Sequence, residues 1–338
     1  MQYEVIIVGG SYAGLSAGLA LGRARKRTLI IDAGQRRNRF AHEAHGFLGQ
    51  DGRAPEAIAA AGRAEVAAYP TVTFLDGTAV SAAQSEDGFV IGMEDGTTHT
   101  AARLILATGV TDDLPDLPGL REGWGKGVLH CPYCHGYEVA DRRLGVLALV
   151  PFATHQANML PDWGPTTFLT NGVVALTANE RAALERRGVV IEETPVAEVL
   201  NAGDGLAGVR VTDGRTIALD ALFTGVPTRL TSPLAEQLGC AIDDTLAGPI
   251  LRVEAMGQTT VPGVYAAGDG HEHDEEPPRR GGERLRCRGD GPPIADPARA
   301  LSNASGAAPH MAMANFPSLL TWDAVGLKAR LKAPPRTL

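Results

Sequence analysis

The chain has 338 residues, a net charge of -8, and 44% hydrophobic and 21% charged residues, so it is globular and too long for one small core. The acidic balance gives no electrostatic basis for nucleic acid or an anionic membrane as partner, and no apolar run approaches the roughly 20 residues of a membrane span. Four cysteines in this length exclude a secreted disulfide framework, and an apolar strand from Tyr3 leaves no room for a signal peptide, so the cytosol is the expected compartment.

Residues 3–8, YEVIIV, read as a buried strand. A Gly-rich turn, a helix and a second strand, RTLIIDAG, follow, and this is the opening of a dinucleotide-binding unit. Gly9 suits the tight turn and Gly14 the close approach of helix to sheet. The middle glycine of the fingerprint is replaced by Ser11, with Gly10 beside it; the helix amides past Ser11 would face phosphates. Asp32, 18 residues after Gly14, ends the second strand, where a carboxylate accepts from ribose hydroxyls. A polar loop with His42 and His45, to which no chemistry is assigned, leads to a helix over 55–68. The runs TVTFL, TAVSAA and GFVIGM, divided by Asp-Gly turns, predict small antiparallel strands. Residues 102–110 form another buried strand, ending at Thr108-Gly109.

PDLPGL, residues 115–120, reads as a crossover between domains. Directly after it stands HCPYCHGYE, His130 to Glu138. A C-x-x-C pair is a redox dithiol or half of a metal site. Cys131 and Cys134 at the first turn of a helix, continued by YEVADRR, would share one face, with thiolates favoured by unpaired amides. His130 and His135 bracket the pair and can move protons near neutral pH. Zinc is disfavoured. Cys240 stands alone between a helix end and a strand, Cys287 lies in an Arg/Gly-rich segment with His271 and His273 upstream, and there is no second C-x-x-C.

A second strand–helix series runs from Leu144 through GVVIEE, but its first turn, Leu149-Val150-Pro151-Phe152, has no glycine. Ala148, Val150 and Ala153 occupy the fingerprint positions, and the Val150 side chain would fill the space of a pyrophosphate. The next strand ends in Thr170-Asn171-Gly172 without arginines for a 2′-phosphate, so NADPH use is doubtful. Short strands follow, and Pro227 begins the return to the first unit. VPGVYAAGDG, residues 261–270, is a strand ending in Gly268-Asp269, an acid placed for the ribityl hydroxyls of a flavin.

Taken together, GGSYAG, LATG, CPYCHGYE and VYAAGD resemble, over about residues 2–270, the low-molecular-weight thioredoxin reductase superfamily of flavoproteins. The C-x-x-C-H-G form resembles the subgroup that includes the dithiol oxidases of gliotoxin and holomycin biosynthesis. The resemblance implies an α/β protein of two Rossmann-like three-layer domains: a discontinuous FAD-binding domain, 1–115 plus 248–338, and an inserted NAD(P)-binding-like domain, 116–247, carrying the cysteines. It implies that Cys134 lies against the flavin, that Cys131 exchanges with substrate and that His135 is the acid/base. It puts Gly9, Gly14, Asp32, Gly109 and Asp269 on FAD-contact positions, beside Gly10, Ser11 and Gly268 from the motifs themselves, and it implies a homodimer.

The expected activity is FAD-dependent dithiol–disulfide exchange, oxidising a small dithiol with electrons passing to oxygen or another acceptor. The alternatives are an NADPH-dependent reductase of a thioredoxin-like protein, and an inactive flavoprotein. The last arises from the chain after Asp269, which is charged and rich in Pro and Gly where the family continues into a small-residue helix. That tail reads as the product of a shifted reading frame or as a disordered segment peculiar to this chain.

Overall fold

The computed structural model describes residues 2–203 and 205–271; the atypical tail, with His273 and Cys287 and the matter of its origin, lies outside the described residues. The apolar runs form strands buried on both faces, as parallel sheets require. In the first sheet Val72–Asp76, Thr28–Asp32, Tyr3–Val8, Thr98–Leu106 and Val264–Ala266 are parallel neighbours in that spatial order. The antiparallel strands Ala79–Ser85 and Gly88–Met93 join it along the start of Thr98–Leu106.

Alternate residues of each strand serve opposite faces. Val5, Ile7, Ile30 and Ile105 pack with Leu15, Leu21 and Val66 of the helices Tyr12–Arg23 and Pro55–Ala67. Ile6, Leu29, Ile31, Leu104 and Leu106 pack on the other face with Phe89, Ile91 and Met93. One expectation is corrected here: the TVTFL strand is parallel and belongs to the main sheet. The helix Pro55–Ala67 carries the chain back across the sheet, and a strand–helix–strand crossover leaves its strands parallel.

The second sheet is wholly parallel, in the order Val190–Glu192, Thr166–Leu169, Leu144–Leu147, Ala221–Phe223, Val128–Leu129. The helices Ala153–Met159 and Ala178–Arg186 cover one face. The antiparallel strands Val196–Ala202, Gly205–Val211 and Thr216–Ala218 cover the other through Val199, Val209 and Val211. The architecture is therefore α/β with two three-layer, Rossmann-like sheets, as expected from the sequence.

Val110–Asp112 leaves the first sheet and pairs antiparallel with Thr228–Leu230 on the return, with a 3.0 Å hydroxyl contact between Thr111 and Thr231. Leu234, Ala235 and Leu238 then bury in the core of the first sheet, and Gln237 Oε1 accepts from the Ala82 amide at 2.8 Å. Leu230, Leu234, Ala235, Leu238, Cys240 and Ile242 thus pack in the core of the first sheet, because the ladder with Val110–Asp112 draws the chain back as soon as it passes Pro227. Among the described residues no helix is long and apolar enough to cross a membrane.

Candidate active site

The edge strand Val128–Leu129 delivers the cysteine segment at the C-terminal end of the second sheet, where loops of parallel sheets carry chemistry. The Thr224 amide donates to Leu129 O (2.9 Å) and Gln156 Nε2 to His130 O (2.7 Å), anchoring the chain just before Cys131. Cys131 is the N-cap of a four-residue helix, Pro132–His135, with proline at the first position, where its missing amide costs nothing. The Cys134 amide donates to Cys131 O at 3.2 Å. The Cys134 thiol donates to Cys131, and this bond, with the Cys134 and Tyr133 amides, draws the Cys131 thiol down to about 7 against the effect of burial. Cys134 is pushed well up, first as the donor of that bond, then by burial and by the charges of Cys131 and Glu138.

The helix is shorter than the sequence predicts: YEVADRR is a succession of turns. A side chain on Gly136 would meet Pro132 O at 2.5 Å and the Trp163 ring at 2.9 Å, so the glycine lets the helix end flush against Trp163. Asp141, in the left-handed region at φ 63°, then donates its amide to Trp163 O at 2.7 Å. With one turn only, the thiolate is favoured by individual amides and the partner thiol, not by a macrodipole.

Burial holds His135 below the ordinary histidine range, with Glu138 pulling the other way and His45 and His130 reinforcing it. It is therefore largely neutral near pH 7 and able to accept a proton. His130 is also lowered, first by burial and then by Arg37, against Asp112, a bond to the Thr224 carbonyl and Asp269. Part of the residue nonetheless remains open to solvent. His45, given no chemistry by the sequence, reaches the same place: its Nε2 lies 3.4 Å from Glu138 Oε1 and its Nδ1 3.6 Å from Asp51 Oδ1. Arg37 was also missed. It bonds Asp112 (2.6 Å from Nη2) and Asp269 (3.0 Å from Nη1). Only the basic run RRNR hints at it in the sequence.

The eight residues singled out for a dinucleotide lie at or beside one mouth of the first sheet. Gly9 has φ 109°, and a Cβ there would sit 2.2 Å from Ala107 O. A Cβ on Gly10 would strike the Asp32 side chain at 2.6 Å, and one on Gly14 the Gly9 carbonyl at 1.8 Å. Ser11 is the N-cap of Tyr12–Arg23 yet makes no side-chain bond to the first-turn amides. Gly268, at φ 81°, comes so close to the helix start that its Cβ would lie 2.9 Å from Ala13. Gly109, at φ 66°, and Gly270 close the mouth, a Cβ on Gly270 lying 3.8 Å from Gly109 O. Asp32 accepts from the Gly34 amide at 3.0 Å, and Arg63 Nη1 approaches its other oxygen at 3.8 Å. This is a cradle of bare backbone with an acid at each end, and it fits a dinucleotide.

The corresponding crevice of the second sheet is different. Val150 is 2% exposed, and a Cβ on the facing Gly225 would meet Phe152 at 3.1 Å and Val150 at 3.2 Å. Asn171 Nδ2 donates to Ala148 O at 3.2 Å, closing the turn further. Side chains occupy the position where the first sheet has bare backbone. Cys240 is buried and contacts Thr259 Oγ1 at 3.5 Å, far from a ligand set, and no group of three or more His, Cys, Asp or Glu able to hold a metal occurs among the described residues.

The family model for pyridine nucleotide-disulphide oxidoreductases matches residues 3–149 and 173–285. The chain is 32% identical over 277 residues to the thioredoxin reductase tcpT of Claviceps purpurea, covering 79% of this chain and 86% of that protein. It is 31% identical over 284 residues to the thioredoxin reductase sirT of Leptosphaeria maculans, with the same shares covered. Among solved structures, an oxidoreductase from Agrobacterium tumefaciens is 50% identical, with a TM-score of 0.76 over 80% of this chain and 90% of that one.

Proposed function

The chain belongs to the pyridine nucleotide-disulphide oxidoreductase family and is an oxidoreductase acting on sulfur groups, and from that premise we propose that it oxidises a small dithiol through a Cys131–Cys134 disulfide, with FAD as cofactor. The observation that carries this reading is the contrast between the two crevices: bare backbone at Gly9, Gly10 and Gly268, but Val150 and Phe152 packed on Gly225. The first suits the flavin the family implies; the second leaves a nicotinamide dinucleotide no close approach.

FAD would be held by the backbone of Gly9–Gly14 at its pyrophosphate, by Asp32 at the adenosine ribose and by Asp269 at the ribityl chain, with Gly109 at the mouth. When bound, it supplies a two-electron acceptor for the enzyme dithiol and passes the electrons to oxygen or another acceptor. The chain's own residues perform the sulfur exchange. A substrate thiolate attacks Cys131 of the disulfide, the S–S bond breaks, and Cys134 leaves as thiolate. The second substrate thiol attacks the substrate sulfur of the mixed disulfide, and Cys131 leaves. The substrate has lost two electrons and two protons; the cysteines have gained the electrons. His135, neutral near pH 7, takes up a proton from the second thiol. The protein acts as a homodimer in the cytosol on this reading.

Purified protein titrated anaerobically with a small dithiol should lose its flavin colour and regain it in air, while NADPH should leave the colour unchanged over the same time. Prompt bleaching by NADPH near neutral pH overturns the reading in favour of a thioredoxin reductase. Protein that stays colourless after FAD addition overturns it in favour of an inactive chain.

A further inference from the structure

Arg37 takes no part in the exchange described above, yet three separate parts of the chain meet at it and a fourth lies beside its turn. It comes from the short turn Arg37–Phe40, Asp112 from the crossover strand and Asp269 from the turn after Val264–Ala266. The segment before the cysteines packs on the same turn: a Cβ on Gly125 would lie 2.6 Å from Phe40, and the neighbouring Trp124 ring is 6.4 Å from that of His130. Its Nε lies 3.1 and 3.2 Å from the two Asp112 oxygens, its Nη2 2.6 Å from Asp112 Oδ1, and its Nη1 3.0 Å from Asp269 Oδ2. Burial works against its charge, but the bonds to the two carboxylates more than offset it and hold the guanidinium above its ordinary value. A planar guanidinium shared by two carboxylates fixes the orientation of both, a geometry a point charge does not impose. Arg37 engages only one of the two Asp269 oxygens, Oδ2.

We propose that Arg37 is a positioning residue that, by bridging Asp112 and Asp269, aims the Asp269 carboxylate at the flavin and sets the electrostatic balance at His130 beside the dithiol. The first half rests on the function proposed above; the second does not. Among the described residues, the charged and titratable groups that act on His130 are Arg37, Asp112, Asp269 and His135, beside the Thr224 carbonyl it bonds and the Trp124 ring, whose centroid is 6.4 Å away. Without Arg37, the two carboxylates lose the cation that bridges them, and His130 takes up a proton at a higher pH. Without the Asp112 charge, the Arg37 cation is less compensated, and His130 gives up its proton more readily. The two substitutions therefore act with opposite sign.

The test uses the full chain as wild type, Arg37→Gln, Arg37→Lys and Asp112→Asn. The His130 titration is followed by NMR of carbon-labelled histidine in protein stripped of flavin, assigned with His130→Asn, and the FAD dissociation constant by fluorescence. Arg37→Gln should raise the His130 midpoint and weaken FAD on the order of tenfold. Arg37→Lys should restore most of the midpoint but little of the affinity, since lysine cannot hold two carboxylates in a plane. Asp112→Asn should lower the midpoint. A structural brace would cost thermal stability without moving the titration in opposite directions. An unmoved midpoint in Arg37→Gln, or shifts of the same sign in Arg37→Gln and Asp112→Asn, overturns the second half; if Arg37→Gln does not fold, an unmoved or raised midpoint in Asp112→Asn does so alone. Wild-type protein that binds no FAD overturns the first half together with the proposed function, and unchanged FAD affinity in Arg37→Gln overturns the first half only.

Discussion

At the scale of single residues the reduced dithiol is asymmetric: Cys134 holds the proton and Cys131 the charge, because one thiol donates to the other and two amides add to it. Brief alkylation of the reduced protein should mark Cys131 before Cys134, with a rate that is half-maximal near pH 7, as read by peptide mass spectrometry at a series of pH values; equal labelling of both would contradict this order. His135→Asn should slow dithiol oxidation by about 10²–10⁴-fold, the usual worth of a positioned base, while leaving the order of alkylation intact. The cysteines and their flanking histidines were legible because C-x-x-C is a local pattern. Arg37 and His45 were not. The partners of Arg37 lie 75 and 232 residues away, and nothing in a polar loop announces a contact at that separation.

At the scale of elements the glycines are decisive only where a side chain has nowhere to go. Gly14→Ala would place a Cβ 1.8 Å from the Gly9 carbonyl, so helix and turn must separate; a loss of several kcal/mol in denaturant unfolding and the loss of bound flavin are expected. The helix Ala178–Arg186 begins with a reciprocal cap, in which Thr177 accepts from the Glu180 amide and Glu180 from the Thr177 amide. Thr177→Ala should cost about 1 kcal/mol in the same measurement and leave sulfur chemistry untouched, since the cap bonds join only Thr177 and Glu180. Strands and long helices followed their apolar periodicity. Two elements did not: Val72–Asp76 joined the parallel sheet through the crossover before it, and the helix after Cys131 stopped at Gly136 because Trp163 stands against it. We place the return to the first unit at Pro227, earlier than 247, since Leu234 and Leu238 bury beneath the first sheet.

At the scale of the molecule, the titrating groups of the site link it to overall stability. His130 and His135 have folded values below the ordinary 6.5, so the unfolded chain takes up their protons first as pH falls through that range. Cys131, at about 7 when folded against 9.0 ordinarily, contributes stability that is complete above pH 9 and lost towards pH 7. Cys134, raised, opposes this only above pH 9. The denaturation midpoint of the reduced protein should therefore fall steadily from pH 9 to 6, and the upper part of that slope should vanish in Cys131→Ser; a flat profile would show that the thiolate is not stabilised by folding. Sedimentation of the pure protein should give twice the 35.4 kDa chain mass if it is the proposed homodimer.

The sequence by itself determined the two α/β sheets, the glycine cradle after the first strand and the dithiol, because hydrophobic period, tight turns and C-x-x-C are written in neighbouring residues. Only the tertiary structure decided that Val150 and Phe152 close the second crevice against Gly225, that Gly136 ends its helix on Trp163, and that Arg37 bridges Asp112 and Asp269. Those are contacts between distant segments, fixed by packing and charge once the chain has folded, and no local pattern encodes them.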